Sequence, residues 1–353
     1  MSIAMLGVDD LAIHQIKHGN NVHLKIFICE FITGGGLYRD PLPPSLLVEG
    51  KLMRDAALRD FAKISNVEIL ATCDPRIEVP SLAHQVFTVG LEQDVWALWA
   101  QCIESVDAVL LVAPETGGVL ERLTALAERL NKLVLGSSAS AVKLAGDKWS
   151  TYRACTAHDI PTLTTHLANA LPDLMAGAYV AKSRDGAGCD DMAYFEDEPA
   201  LRSWLQTRLN THIVQPYQRG EAASFSMLCK NGQSYLLSCN HQYMQIEGQD
   251  FSYRGGIING MVQHADAFNT IAQKIASAMP GLAGYVGVDL IVHDADFFVL
   301  EVNPRLTTSY VALHQACGCN PAQMLLDLFY NDAFTMPVIA HHKIEISLNA
   351  AAN

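Results

Sequence analysis

The hydrophobic pattern of the chain changes in character near residue 140. Between residues 24 and 140, short apolar runs alternate with segments in which apolar residues recur every three or four positions. Short apolar runs are typical of buried parallel strands, and the longer period indicates amphipathic helices. The alternation of the two predicts a doubly wound, largely parallel α/β domain. The predicted strands are 24–31, 67–73, 106–112 and 132–135, and the predicted helices are 45–64, one around 95–103 and one ending near 130.

Polar residues and glycines follow two of these strands. In doubly wound sheets, ligands bind at the carboxyl ends of the strands. Glu30 with Gly34, Gly35 and Gly36 lies at one such end, and Glu115 lies at another. The glycine run lacks the last glycine of a G-x-G-x-x-G motif, so dinucleotide binding is the weaker alternative. A plain turn that binds no ligand is a further alternative for the glycines.

The pattern after residue 140 predicts an α+β arrangement. Alternating runs predict strands at 178–182, 212–217, 222–230 and 233–245, and Asn231-Gly232 predicts a hairpin turn between the last two. The segment 251–256, which contains Arg254, is predicted to be a loop because of its two glycines. Helices are predicted from about Lys148 to 158, from about Phe268 and from 321 to 330.

A second hairpin carries the strongest chemical signal. Asp289 lies on its first strand, and Glu301 and Asn303 lie on its second strand. Residues two apart on a strand share a face, so Glu301 and Asn303 project together, and the hairpin can bring Asp289 beside them. Three oxygen ligands suit a hard cation such as Mg²⁺. The alternative is a hydrated polar end of a sheet.

A lysine and a glycine-rich loop form a second candidate site. Lys182 ends a predicted strand and is followed by a loop that contains Gly186 and Gly188. Backbone N–H groups of such a loop can approach a phosphate closely, and the ammonium adds a positive charge. Glycine-rich hairpin loops are common, so this feature gains weight only together with the hairpin.

Composition narrows the function classes. Half of the 353 residues are hydrophobic, 17% are charged, and the net charge is −13. This balance indicates a globular protein and argues against a nucleic-acid or anionic-membrane partner. No run approaches the roughly 18 apolar residues that a membrane span needs. The nine cysteines form no CxxC pair, so we interpret them as buried thiols and predict a cytoplasmic location.

Four motifs together resemble the ATP-grasp superfamily in order and spacing over residues 24–335. They are Asp147-Lys148, Lys182 with its glycine loop, Gln215-Pro-Tyr217 with Glu221, and Asp289 with Glu301-Val-Asn303-Pro-Arg305. The resemblance implies an N-terminal extension (1–23), a pre-ATP-grasp α/β domain (24–143), an ATP-grasp domain (144–335, with lobes 144–214 and 215–335) and a C-terminal tail (336–353).

The resemblance also implies a role for each motif in ATP binding. Lys148 and Lys182 would bind the phosphates of ATP beneath the Gly186–Gly188 loop. Gln215 and Tyr217 would contact adenine, and Glu221 would lie near the ribose. In the family, Glu often stands at the position of Gln215. The remaining implied roles are Mg²⁺ or Mn²⁺ binding by Asp289, Glu301 and Asn303 and stabilisation of the transferred phosphoryl group by Arg305.

Within this superfamily the chain resembles the tyramine–glutamate ligases of methanofuran biosynthesis and their methylofuran counterparts. The residues that carry this resemblance are Cys29–Gly36, Pro114-Glu115 and Asn303–Tyr310. It implies ADP-forming ligation of an amino-acid carboxylate, expected to be glutamate, to an amine such as tyramine or tyrosine through an acyl phosphate. Another ATP-grasp peptide ligase, a carboxylase and a non-catalytic nucleotide-binding protein are the alternatives. A homodimer is also implied.

Substrate contacts are expected from several further residues. Arg254 is a candidate catalytic residue that would clamp an α-carboxylate, or else a solvated loop charge. Thr307, Thr308 and Ser309 would hydrogen-bond the acyl substrate, or else cap the following helix. Glu30 and Glu115 would pair with a substrate ammonium or phenol, or else lie hydrated at strand ends.

Overall fold

The computed structural model describes residues 23–348, so nearly all of the predicted N-terminal extension lies outside the described residues. The first half is a parallel sheet in the order β3-β2-β1-β4-β5. The predicted doubly wound domain is confirmed, although the sequence pattern did not predict β3, whose residues are mostly exposed. The strands are β1 (Leu24–Glu30), β2 (Val67–Cys73), β3 (Gln85–Thr88), β4 (Ala108–Val112) and β5 (Leu133–Val134).

Three helices cover the two faces of this sheet: α1 (Pro44–Phe61), α2 (Val95–Glu104) and α3 (Val119–Arg129). Alternate residues of β1 enter two different cores, because neighbouring side chains on a strand point to opposite faces. Ile26 and Ile28 pack with Phe61 of α1, whereas Phe27 packs with Trp99 of α2. The doubly wound arrangement follows from this division.

The second half forms one continuous antiparallel sheet. Its order is β14-β13-β10-β11-β12-β8-β7-β9-β6, and β15 pairs with β12. Its strands are β6 (His166–Leu167), β7 (Tyr179–Ser183), β8 (Met192–Phe195), β9 (His212–Pro216), β10 (Glu221–Lys230), β11 (Gln233–Glu247), β12 (Asp250–Ile258), β13 (Gly284–His293), β14 (Asp296–Asn303) and β15 (Ile344–Ser347).

This sheet has two parts, β6–β9 and β10–β15, which are joined where β8 pairs with β12. Several helices pack on it. They are α4 (Ala139–Gly146), α5 (Lys148–Ala157), α6 (Glu198–Leu205), α7 (Ala265–Ala278), α8 (Leu313–Cys317) and α9 (Pro321–Tyr330). Asp147 ends α4 and caps α5, since its carboxylate accepts a hydrogen bond from the Ser150 N–H at 2.7 Å. The sequence pattern did not predict α4, β8 or α6. It predicted α5, α7 and α9.

The predicted loop at 251–256 is wrong, because this segment belongs to β12. Gly255 has a φ of 125°, and a Cβ there would lie 2.0 Å from the carbonyl oxygen of Ile346. The glycine is therefore required where β15 approaches the backbone of β12, and it does not mark a turn. The predicted C-terminal tail accordingly contributes a strand to the sheet.

All nine cysteines are free thiols and most of them are buried. Burial raises the pKa of several of them, such as Cys155 and Cys229, to about 12. Among residues 23–348, no helix is long and apolar enough to cross a membrane. The cytoplasmic location stays a prediction.

Candidate active site

A cavity of about 570 Å³ lies between the two parts of the antiparallel sheet and is closed on one side by α1. The first part contributes Lys148, Lys182 and the loop between β7 and β8, and the second part contributes β13 and β14. Glu49 and Met53 of α1 bring the α/β domain into the same cavity. The cavity therefore joins residues from all three parts of the fold.

The hairpin of β13 and β14 places its carboxylates side by side. Asp289 is the antiparallel partner of Glu301, and Asn303 is two residues further along the same strand. The amide of Asn303 donates to Asp289 Oδ2 at 2.9 Å, and the amide of Gln242 on β11 donates to Asp289 Oδ1 at 2.9 Å. The three predicted ligands are thus brought together, and Gln242 is an additional neighbour.

The pKa values of the two carboxylates shift in opposite directions, because Glu301 interacts with two lysines and Asp289 interacts with Glu301. Burial alone would raise the pKa of Glu301, but Lys148 and Lys182 lower it well below its usual range. Burial and the neighbouring Glu301 charge raise the pKa of Asp289. Lys148 Nζ lies 3.0 Å from Glu301 Oε2. A cation bound here would reverse the shift at Asp289, because it would favour the ionised form.

The donor set fits a magnesium ion. No cluster of three or more His, Cys, Asp and Glu side chains that could hold a metal occurs within residues 23–348. Two carboxylates and an amide oxygen are nevertheless sufficient for Mg²⁺ when substrate phosphates complete the coordination shell. Asn303 uses only its amide nitrogen towards Asp289, so its amide oxygen is available as a ligand.

The glycine loop between β7 and β8 covers the lysines. Lys148 Nζ donates to the carbonyl oxygen of Gly186 at 2.6 Å, which holds the loop over the cavity. The loop is also tied to the α/β domain, since the carboxylate of Asp185 accepts a hydrogen bond from the Gly117 N–H at 2.9 Å. Burial lowers the pKa of Lys182 to about 8, although the Glu301 charge opposes this shift. A bound phosphate would restore the charge of Lys182.

The other end of the cavity is less charged. Gln215 on β9 is buried, and its amide donates to Thr165 Oγ1 at 2.9 Å. Tyr217 packs edge-on against Tyr194, with the ring centroids 5.0 Å apart, and Glu221 begins β10. Gln215, Tyr217 and Glu221 all line the cavity, and their contacts with a base and a ribose stay predictions.

Arg305 and Glu115 form a bidentate ion pair. Arg305 Nε and Nη2 each lie 2.9 Å from a different carboxylate oxygen of Glu115, and both side chains are mostly buried. Arg305 lines the cavity, whereas Glu115 does not. The pair joins the two domains and orients the guanidinium. Glu115 is therefore occupied by Arg305, contrary to its predicted contact with a substrate cation.

Thr307, Thr308 and Ser309, which follow the predicted metal ligands in sequence, line the cavity. Thr307 Oγ1 lies 2.9 Å from the hydroxyl of Tyr285, and Thr308 donates to the Tyr253 hydroxyl at 3.4 Å. Thr307 precedes a short 3₁₀ helix but makes no side-chain capping bond to it. The helix-capping alternative is thus wrong for Thr307, and the substrate role stays a prediction.

The glycine run after β1 does not line the cavity. The Glu30 carboxylate accepts hydrogen bonds from the backbone N–H groups of Ile32 and Thr33, so it closes a local turn. A Cβ on Gly35 would lie 2.4 Å from Val89, and one on Gly36 would lie 2.4 Å from the Phe31 ring. Gly34 is similarly confined by the Glu30 carbonyl oxygen. This packing agrees with the plain-turn alternative, and none of these residues lines the cavity.

Arg254 does not line the cavity, although the preceding Tyr253 does. It is the unpaired residue of a β-bulge, because Tyr253 pairs with Met244 and Gly255 pairs with Tyr243. Its Nε donates to Gln245 Oε1 at 3.0 Å on the neighbouring strand. The predicted catalytic role of Arg254 depended on a loop that is in fact β12, so that assignment is corrected.

Sequence reasoning missed Glu49, Gln242 and Tyr253, which all line the cavity. Only Glu49 left a detectable signal. It falls between Leu46 and Met53 on the stripe of α1 that faces the interior, where an apolar residue would be expected. Gln242 and Tyr253 lie on strands whose neighbours come from distant parts of the chain.

Comparison with known families identifies the class. Residues 67–142 match the pre ATP-grasp 3 domain and residues 145–309 match the ATP-grasp domain. The two matches are consecutive and together span more than half of the chain. The chain therefore belongs to the ATP-grasp superfamily, whose members generally use ATP and a divalent metal, and the resemblance found in the sequence is confirmed.

Two curated relatives are similar in sequence to this chain over most of its length. The tyramine–L-glutamate ligase of Methanocaldococcus fervens is 28% identical over 296 residues, which cover 83% of this chain and 91% of the relative. The tyramine–L-glutamate ligase of Methanocaldococcus jannaschii is 29% identical over 274 residues, which cover 76% and 79%. These matches and the domain make the chain an ATP-dependent carboxylate–amine ligase of the ATP-grasp class.

Solved structures show the same fold. The L-amino acid ligase from Bacillus licheniformis aligns with a TM-score of 0.64 at 16% identity and covers 87% of this chain and 74% of that one. The N5-carboxyaminoimidazole synthetase from Staphylococcus aureus aligns with a TM-score of 0.68 at 12% identity and covers 91% and 80%. At these identities the alignments establish the fold alone.

Proposed function

We propose that the protein joins a carboxylate of L-glutamate to tyramine in an ATP-dependent reaction that releases ADP and phosphate through an acyl phosphate. One observation carries this proposal. A single cavity is lined by the cations Lys148, Lys182 and Arg305 and also by Met53, Phe251 and Tyr253. The cations suit nucleotide phosphates, and the apolar and aromatic side chains suit an aryl-alkyl amine. The names of the two curated relatives support the choice of substrates.

The chemistry requires activation of the carboxylate. A carboxylate resists attack by an amine because it is an anion and its leaving group would be oxide or hydroxide. Transfer of the terminal phosphoryl group of ATP gives an acyl phosphate, from which phosphate leaves readily. The protein's part is to hold the reactants in line and to offset the charge that develops during transfer.

Three cations surround the position proposed for the phosphoryl group. Lys148 and Lys182 approach from the first lobe, and Arg305 approaches from the end of β14. Glu115 fixes the Arg305 guanidinium in one orientation through two hydrogen bonds, so little reorganisation is needed when charge develops. Asp289, Glu301 and Asn303 would hold Mg²⁺. This ion would neutralise the β- and γ-phosphate oxygens.

The glycine loop excludes water from the acyl phosphate. Its contacts with Lys148 and with Gly117 hold Gly186 and its neighbours over the lysines. An acyl phosphate hydrolyses in water, so a closed loop favours the amine as the only nucleophile. Entry and release of the nucleotide then require these two contacts to break.

Purified protein incubated with ATP, MgCl₂, L-glutamate and tyramine tests the proposal. We expect one ADP and one phosphate for each amide, with the product identified by mass spectrometry. Parallel reactions replace tyramine with tyrosine, with other amino acids or with bicarbonate. ADP release that depends on bicarbonate would indicate a carboxylase, and product from amino acids alone would indicate a peptide ligase. Absence of ADP release with every substrate would refute the proposal.

A further inference from the structure

Glu49 occupies a distinctive place in the cavity. It is contributed by α1 of the α/β domain, far from the metal ligands in sequence, and it lines the cavity together with Arg305 and Thr308. Electrostatic interactions link it to Arg305, to Tyr253 on β12 and to Cys189 in the glycine loop. Glu49 therefore lies where the α/β domain, the glycine loop and the end of β14 meet.

The Glu49 carboxylate has no partner of its own. It forms no hydrogen bond or ion pair with any residue in the range 23–348. Arg305, whose charge acts on Glu49, is already bound by both oxygens of Glu115. Burial raises the pKa of Glu49, and the Arg305 charge opposes this shift. A half-buried carboxylate without a partner is costly unless a ligand supplies one.

The surroundings of Glu49 limit the ligand that it can bind. Met53 follows one helical turn later on α1 and is buried, and Tyr253 lies across the cavity. Lys148 and Lys182 provide for anionic groups in the cavity, whereas an ionised Glu49 attracts a cation. A carboxylate beside apolar and aromatic side chains suits an ammonium group attached to an apolar chain.

We propose that Glu49 binds the ammonium group of the amine substrate and accepts its proton, with Met53 and Tyr253 contacting the apolar part of the amine. This assignment rests on the proposed function and adds an amine site to it. It also explains why the α/β domain contributes to the cavity, since α1 supplies both Glu49 and Met53.

The proton balance of the step is complete. The ammonium ion gives one proton to Glu49, and the nitrogen lone pair then attacks the acyl carbon. The bond between that carbon and the phosphate oxygen breaks, and phosphate leaves with the electron pair. The nitrogen loses a second proton to the departing phosphate, which leaves a neutral amide. Glu49 returns its proton to water after the product leaves.

The test compares two nucleophiles in two variants. Glu49→Gln removes the charge and keeps the shape, and Glu104→Gln makes the same change at an exposed, unpaired position on α2. Each is assayed with ATP, Mg²⁺ and glutamate, first with tyramine and then with hydroxylamine. Hydroxylamine is uncharged at neutral pH and traps an acyl phosphate as a hydroxamate. It therefore needs neither an ammonium site nor a base.

We expect Glu49→Gln to lose roughly 100-fold or more in kcat/KM for tyramine, the usual size of an acid–base contribution. Hydroxamate formation should stay at the wild-type rate, and Glu104→Gln should match the wild type in both assays. Equal loss with both nucleophiles, or full activity with tyramine, would overturn the assignment. A wild-type protein that forms neither product would overturn the proposed function itself, and this result differs from both variant patterns.

Discussion

The ion pair between Glu115 and Arg305 allows a quantitative test of how the two domains hold the site. The replacement Glu115→Gln keeps the length of the side chain but removes its charge. Only one acceptor oxygen then remains for two guanidinium donors that are each bonded at 2.9 Å in the native protein. The amide nitrogen of the new side chain would face the second donor.

The expected cost follows from burial. Both side chains of the pair are largely excluded from water, and removing one partner of a buried pair costs about 3–5 kcal/mol. We expect the lower end of this energy range, because the negative charges of Glu301 and Glu49 still stabilise the Arg305 cation. At ~2 °C per kcal/mol, a loss of ~3 kcal/mol lowers Tm by ~6 °C. A displaced guanidinium should also reduce kcat by roughly 100-fold.

The assay combines thermal unfolding with steady-state ADP release. Glu121→Gln is the matched control, because it removes the exposed pair with Lys143 at 3.2 Å. Such surface pairs contribute about 0–1 kcal/mol, so this variant should melt close to the wild type. If Glu115→Gln melted together with Glu121→Gln and kept full activity, the pair would not orient Arg305, and the proposed clamp between the domains would be refuted.

Three further predictions concern the metal ligands, the threonine segment and pH. Glu301→Gln should abolish ADP release, because the proposed metal ligand is lost, and should leave the fold intact with a lower Tm, because the pair with Lys148 at 3.0 Å is broken; full turnover would refute the metal assignment. Tyr285→Phe removes a hydroxyl that lies 2.7 Å from Ser226 and 2.9 Å from Thr307. It should cost ~1–2 kcal/mol and raise KM for glutamate; an unchanged KM would argue against Thr307 as a substrate contact. Burial lowers the pKa of His212, so the stability linked to it is complete above the unfolded pKa of about 6.5 and is lost as pH falls. Tm should therefore decrease between neutral and acidic pH, and less steeply in His212→Gln.

The local sequence pattern was sufficient to predict those site residues that lie on neighbouring segments of the chain. Asp289, Glu301 and Asn303 belong to one hairpin, whose alternating pattern and short turn bring the three together without help from the rest of the chain. The same holds for Lys182 and its glycine loop, which join two adjacent strands. Side-chain period and turn length are local properties, so the sequence by itself determined this part of the site.

Glycines were interpreted less reliably, since the same residue serves turns and close backbone contacts. Gly255 suggested a loop, but it permits β15 to pair with β12. Gly34, Gly35 and Gly36 suggested a ligand, but they pack against side chains of their own domain. A glycine in the sequence indicates that a side chain would not fit at that position, and only the folded chain shows which atoms lie there.

Tertiary structure decided the partners of the charged residues. Glu115 and Arg305 are 190 positions apart. The residues around each of them in the sequence do not predict that the Glu115 carboxylate binds the Arg305 guanidinium. Glu49 reaches the cavity only because α1 packs across the domain boundary. Hydrophobic period and turn chemistry act over a few residues, so the sequence alone determined the fold class of each half and the hairpin that brings Asp289, Glu301 and Asn303 together. Long-range packing fixed which charges meet, and therefore which remain available for a substrate.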